Sequence, residues 1–144
     1  MDSTVKYDIK NLHIVHYPAP CLRERCAPIT RFGDGLVALA QRMHELMLAD
    51  RGVGLAAPQV GILERIFVAN LTGEPGDAMV FVNPVISQRA GNEEAEEGCL
   101  SIPGVHVNVR RAKSCRIDAQ DLTGQPIALL GEDLLARVWQ HETD

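Results

Sequence analysis

The chain closes on "RVWQHETD", residues 137–144, and the reading of this stretch decides how the rest is organised. On a helix that begins a few residues earlier, Leu134, Val138 and His141 fall at i, i+4 and i+7, with Leu135, Trp139 and Glu142 beside them. His141 and Glu142 are then expected to point into the protein. An inward carboxylate requires a partner, because burying an uncompensated charge is costly. A helix carrying H-E-x-x-H meets that need: two histidines one turn apart aim at one metal, and the glutamate handles the protons of metal-bound water. Here the letters run His141, Glu142, Thr143, Asp144, so the second histidine of that pattern would fall one position past Asp144. A lone histidine on a helix face is more often a satisfied core residue than a ligand; the adjoining inward Glu142 shifts that balance without settling it.

Working outward, a length of 144 residues predicts one domain over 1–144, since domains run roughly 100–200 residues. Hydrophobic residues make up 46% but aromatics only 4%, which calls for an aliphatic core of Leu, Val, Ile and Ala. The net charge of −5 argues against a phosphate-binding surface and so against nucleic-acid readout. There is no basic leader before an apolar stretch and no apolar run near the roughly 18 residues a membrane span needs. A soluble, cytoplasmic protein without membrane partners is the expectation. Cys21, Cys26, Cys99 and Cys115 form no C-x-x-C pair and are expected to be reduced thiols. A structural zinc site built from those four is the weaker competitor.

Residues 11–30 carry three prolines and read as an extended arm with turns. The stretch 34–49 is amphipathic: Leu36, Leu39, Ala40, Met43, Leu46 and Met47 mark one face, with Asp34 as candidate N-cap. Strands are predicted over 65–71, 78–86, 106–121 and 126–130, separated by "TGEPGD" and "DLTGQ" turns, and the final helix over 131–144. The acidic run "GNEEAEEG", 91–98, reads as a solvated loop. Because helices and strands do not alternate, the fold class is α+β rather than doubly wound.

Two more stretches can carry chemistry. "RGVGLAAPQVG", 51–61, has Gly52 and Gly54 for a sharp backbone path and Gln59 as amide donor and acceptor. Its plain alternative is a helix C-cap and a tight loop into a strand. In "EEGCLSIPG", 96–104, Cys99 is either a small buried hydrophobe or a thiolate, and the latter needs a metal or positive partner to lower its pKa.

Taken together, "GVGLAAPQ" (52–59), "EGCLS" (97–101) and "QHETD" (140–144) closely resemble the signature set of the peptide deformylases. "HYPAPCLR" (16–23) and "FVNPVI" (81–86) resemble that family's arm and central strand. The resemblance implies antiparallel or mixed strands around a central His-Glu helix, with one amphipathic helix before them. It implies a metallohydrolase that removes the formyl group from the starting methionine of new polypeptides. Cys99 and His141 are then two of three protein ligands to Fe²⁺, with Zn²⁺, Ni²⁺ or Co²⁺ as substitutes. Glu142 moves a proton from metal-bound water to the leaving amine. Gln59 and the backbone N–H of Leu100 hold the formyl oxygen, and Gly54 pairs its backbone with the peptide. Glu97 lies beside the site, compensated by a basic residue, Arg111 by preference, while Glu93, Glu94 and Glu96 are solvated. N-formylmethionyl nascent peptides are the implied partners, with transient proximity to the ribosome.

The departure is the missing third ligand. His13, His16, His44 and His106 have no helical relation to His141 and are not expected to replace it. As written, the chain is expected to be C-terminally truncated within the catalytic motif, binding metal weakly and turning over poorly. The alternative is a deformylase-like pseudoenzyme that binds N-terminal peptides without cleaving them.

Overall fold

The apolar stripe at 34–49 forms helix α1, Asp34–Ala49, with Leu36, Leu39, Ala40, Met43 and Met47 buried and Leu46 partly so. Its N-cap is Gly33 rather than Asp34, which sits in the first turn where a carboxylate favours the helix dipole. The computed structural model describes residues 7–16, 25–99 and 101–143, excepting the Pro75 side chain. Much of the "HYPAPCLR" stretch, with Cys21, therefore lies outside the described residues, as do Leu100 and Asp144.

After α1 come strands β1 (Gly54–Ala56), β2 (Ile66–Ala69), β3 (Met79–Ala90), β4 (Glu93–Cys99), β5 (Ile102–Arg111), β6 (Ser114–Gln120) and β7 (Pro126–Glu132), then helix α2 (Asp133–Thr143). A five-stranded sheet runs β1-β2-β3-β6-β7, and β4 and β5 form a separate two-stranded ribbon. All these pairings are antiparallel. The α+β expectation holds, with strands gathered around the final helix: α2 packs on β1, β2, β3, β6 and β7.

Strand β2 is buried at every position because both faces of the sheet are covered. Ile66 and Val68 face the α1 core with Leu39, Met43, Met47, Leu55 and Val82. Phe67 and Ala69, one step out of phase, face the α2 core with Phe81, Ile117, Val138 and Trp139. Phe67 stacks on Phe81 at 5.0 Å, and Phe81 meets Trp139 edge-on at 5.6 Å. The core is thus aliphatic on the α1 side and holds three aromatics under α2. Gly131 permits that packing, since a Cβ there would lie 2.5 Å from the Trp139 ring.

Three expectations are corrected. The acidic run is not a loop: it forms β4, whose register sets Glu93 opposite Arg111 and Glu94 opposite Arg110. Cross-strand charge pairing thereby offsets its poor strand composition. The stretch 106–121 is two strands, broken at Ala112 and Lys113 where the chain turns from ribbon to sheet. Leu134, assigned to the inward face of the last helix, is 51% exposed. The helix instead buries Ala136, Arg137, Val138, Trp139 and Gln140, with Arg137 hydrogen-bonded to the ribbon at Glu97, Val109 and Glu93.

Strand β3 carries two register shifts against β6, between Val82 and Val85 and between Ser87 and Ala90. Each inserts one extra residue, and Asn83 and Gln88 at these points have positive φ. Pro84 sits within the first bulge, where no ladder N–H is required. No helix among the described residues is long and apolar enough to cross a membrane.

Candidate active site

Helix α2 presents the His-Glu pair. The Glu142 side chain is 5% exposed and His141 27%, so both point inward as the helical spacing predicted. Glu142 Oε1 lies 3.7 Å from His141 Nε2, and its other oxygen is buried without a hydrogen-bond partner. Burial pushes the Glu142 carboxyl up to about 8; the Ala56 backbone and Arg111 oppose the shift and Glu97 adds to it.

The β1 segment supplies the opposite wall. After α1 the chain closes with Gly52 N–H donating to Met47 O at 2.9 Å, then enters β1, so the C-cap, loop and strand reading of this stretch also holds. Gly54 is required by space: a Cβ there would sit 2.9 Å from Glu142 Cγ and 3.0 Å from Val138 Cγ1. A single 3-10 turn, Ala57–Val60, follows and brings Gln59 back over β1. The Ala56 N–H donates to Gln59 Oε1 at 2.9 Å, which fixes the amide so that Nε2 faces the site. That nitrogen donates to Cys99 Sγ at 3.3 Å and lies 3.5 Å from Ser101 Oγ.

Cys99 ends β4. Burial pushes its thiol up, the Ser101 backbone opposes that, and the Glu142 carboxylate raises it further. Glu97, two residues earlier, is 8% exposed on its side chain, whereas Glu93, Glu94 and Glu96 are exposed as expected. Arg111 forks onto Glu97, Nε to Oε2 and Nη2 to Oε1, both at 3.2 Å. Glu97 Oε1 also accepts from His141 Nδ1 at 2.8 Å, and Oε2 from Arg137 Nη1 at 2.5 Å. Burial alone would raise the Glu97 carboxyl; the bonds from Arg111, His141 and Arg137 outweigh it and hold it below the ordinary carboxylate range.

Two cavities meet here, of about 750 and 720 Å³. Cys99, Ile102, His141 and Glu142 line both, Gly54 and Glu97 only the first, and Gln59 only the second. Cys99, His141, Glu142 and Gln59 therefore come together from three distant stretches. His16 and His106 also line the first cavity, with His106 Nδ1 3.4 Å from Glu96.

The donors suit a soft-to-borderline divalent cation. Cys99 offers sulfur, and His141, its Nδ1 engaged by Glu97, keeps Nε2 for a metal, the arrangement in which a carboxylate orients a histidine ligand. A cation there would also answer the partnerless Glu142 oxygen and hold Cys99 as thiolate. Among the described residues no group of three or more His, Cys, Asp or Glu converges closely enough to hold an ion. Cys115 belongs to the α2 core, with its Sγ 3.9 Å from Ala136 O, so it is separated from the cavity-lining Cys99 and the four-cysteine alternative loses a ligand.

Sequence reasoning missed Arg137, and gave no role to Gln140 although it opens the "QHETD" stretch. Gln140 brackets Ala112, accepting from its N–H at 3.0 Å and donating to its carbonyl at 2.8 Å. Their sequence signal was the helix face itself: i and i+3, on the arc flanking His141.

Similarity to known proteins agrees with this geometry. A peptide deformylase of Acidobacterium capsulatum is 43% identical over 133 residues, covering 91% of this chain and 78% of the relative. The crystal structure of a plant peptide deformylase superposes with TM-score 0.91 at 40% identity, over 96% of this chain and 76% of the other. A Legionella pneumophila peptide deformylase gives 0.90 at 41%, over 92% and 79%. The family model described as polypeptide deformylase matches residues 11–144, which takes in all three site-forming stretches, and this chain belongs to that family.

Proposed function

We propose that this deformylase removes the formyl group from the N-terminal formyl-methionine of newly made polypeptides, with Fe²⁺ as its metal and Zn²⁺, Ni²⁺ or Co²⁺ as substitutes. One observation carries the reading: Gln59, Cys99, His141 and Glu142 meet at the junction of two cavities, with an amide donor aimed across the site and a buried carboxylate beside the histidine.

Cys99 and His141 would hold the metal. When bound, it supplies a Lewis acid for the formyl oxygen and a nucleophilic water near neutral pH, lowering a pKa of 15.7 toward about 7. Glu142 takes the proton of the attacking water and returns it to the leaving amine, a role that contributes roughly 10²–10⁴-fold. Gln59 Nε2 donates to the oxyanion as the formyl carbon becomes tetrahedral, worth about 10²–10³-fold. The Leu100 N–H is the second oxyanion donor in this reading. Strand β1 is an edge of the sheet, so a substrate peptide can lie along it and pair with the Gly54 backbone. A cytoplasmic location in transient proximity to ribosomes belongs to the same proposal, since the proposed substrates are nascent chains.

The test is formate release from a formyl-Met peptide by protein loaded anaerobically with Fe²⁺ or Ni²⁺. Turnover abolished in Glu142→Ala with metal content retained is the expected result. Metal-loaded wild type that binds the peptide but releases no formate would replace this reading by one of peptide binding alone.

A further inference from the structure

Cys99 and His141 sit on elements that share no backbone ladder. Cys99 ends the β4–β5 ribbon, which pairs with no strand of the five-stranded sheet. His141 is on α2. The spacing between the two therefore depends on side chains that span ribbon and helix.

Arg137 spans them directly. It lies one helical turn before His141, and its side chain is only 9% exposed. Nη1 donates to Glu97 Oε2 at 2.5 Å and to Val109 O at 2.8 Å, while Nη2 donates to Glu93 O. One guanidinium thus holds the backbone of both ribbon strands and the carboxylate that orients His141. We infer that Arg137 is a positioning residue which clamps the ribbon to α2 and so sets the placement of Cys99 relative to His141.

The chemistry requires arginine. A planar fork can serve two carbonyls and a carboxylate at once, whereas a lysine ammonium is a compact point charge. The Arg111 contact keeps Glu97 from being left as an unpaired buried charge when Arg137 is replaced. Loss of Arg137 then loosens the ribbon without stranding the carboxylate. The consequence is a changed ligand placement rather than a lost ligand.

This inference rests on the reading that Cys99 and His141 hold a metal, so its test has one arm with metal and one without. In metal-free protein, hydrogen exchange of the β4 and β5 amides should be at least roughly tenfold faster in Arg137→Met than in wild type, with α1 unchanged. With Co²⁺ as probe, chelator competition should show about 10–100-fold weaker binding, the usual cost of losing a group that supports a metal ligand, and a shifted thiolate-to-cobalt absorption band. Arg137→Lys, which keeps the charge and the Glu97 contact, should fall between the two. If Arg137→Met fails to fold by circular dichroism, Arg137→Lys is judged by the same readouts. Wild-type exchange together with wild-type cobalt affinity and band in the folded variants would overturn the clamp. A wild-type cobalt spectrum that Cys99→Ala leaves unchanged would instead sink the metal reading, and unchanged exchange in the metal-free arm would then be sufficient to overturn the clamp.

Discussion

Glu97 Oε1 accepts a hydrogen bond from His141 Nδ1 at 2.8 Å, across 44 residues of sequence. Because a carboxylate oxygen only accepts, this contact makes Nδ1 the donor and turns Nε2 toward Glu142. The same carboxylate takes Arg111 and Arg137, so one acidic residue joins β4, β5 and α2.

Replacing that carboxylate should weaken metal binding and stability together. Glu97→Ala removes the carboxylate that Arg111, Arg137 and His141 share, and losing one partner of such a buried cluster costs about 3 kcal/mol. Chemical denaturation of the metal-free protein measures it. Glu97→Gln, which keeps an oxygen for His141, should cost less and bind Co²⁺ more tightly than Glu97→Ala.

Gly54→Ala tests the close approach of β1 to α2. The new Cβ would lie 2.9 Å from Glu142 Cγ, so the carboxylate or the strand must move. A displacement of about 1 Å at a reacting group costs on the order of 10²-fold in turnover. Formate release should fall by that order while circular dichroism stays native. Wild-type turnover would show that Glu142 tolerates displacement.

Gly131→Ala should act on stability alone. Its Cβ would be placed 2.5 Å from the Trp139 ring, and forcing atoms into a packed core costs typically about 1–3 kcal/mol. Thermal unfolding should show the loss, with the Trp139 fluorescence of the folded protein altered.

The Tyr7 hydroxyl donates to Glu64 at 2.5 Å. Burial, then the hydrogen bond and charge of Glu64, raise the Tyr7 pKa well above its ordinary value. The folded state therefore holds this proton more tightly than the unfolded state, whose tyrosine titrates near about 10. The stabilisation is complete below about pH 10 and is lost as pH rises above it. Denaturation of wild type and Tyr7→Phe across that range should show the difference between them shrink on the alkaline side.

Some of this was written in local sequence. A 3.6-residue apolar period needs no distant partner to be read, so α1 emerged at its observed bounds and the last helix within two residues of its start, with His141 and Glu142 inward. Gln59, Cys99 and the His-Glu pair lay in stretches marked together by their resemblance to the deformylase signature; that resemblance also put Glu97 beside the site, where a carboxylate needs a basic partner such as Arg111.

Other features belong to the tertiary structure because their cause lies far along the chain. "EEAEEGC" has no strand signal of its own; it becomes β4 because Arg110 and Arg111 stand opposite its glutamates in β5. Leu134 is exposed, and Arg137 is buried because its guanidinium bonds to the ribbon, which apolar periodicity does not report. Arg137 has its partners 28 to 44 residues away, at Val109, Glu97 and Glu93. The sequence by itself determined the two helices through their apolar period, and the site-bearing stretches through their joint resemblance to the family signature. The fold decided which charges meet and how the cysteine is held against the histidine, because a hydrogen bond depends on distance in space, which spacing along the chain does not specify.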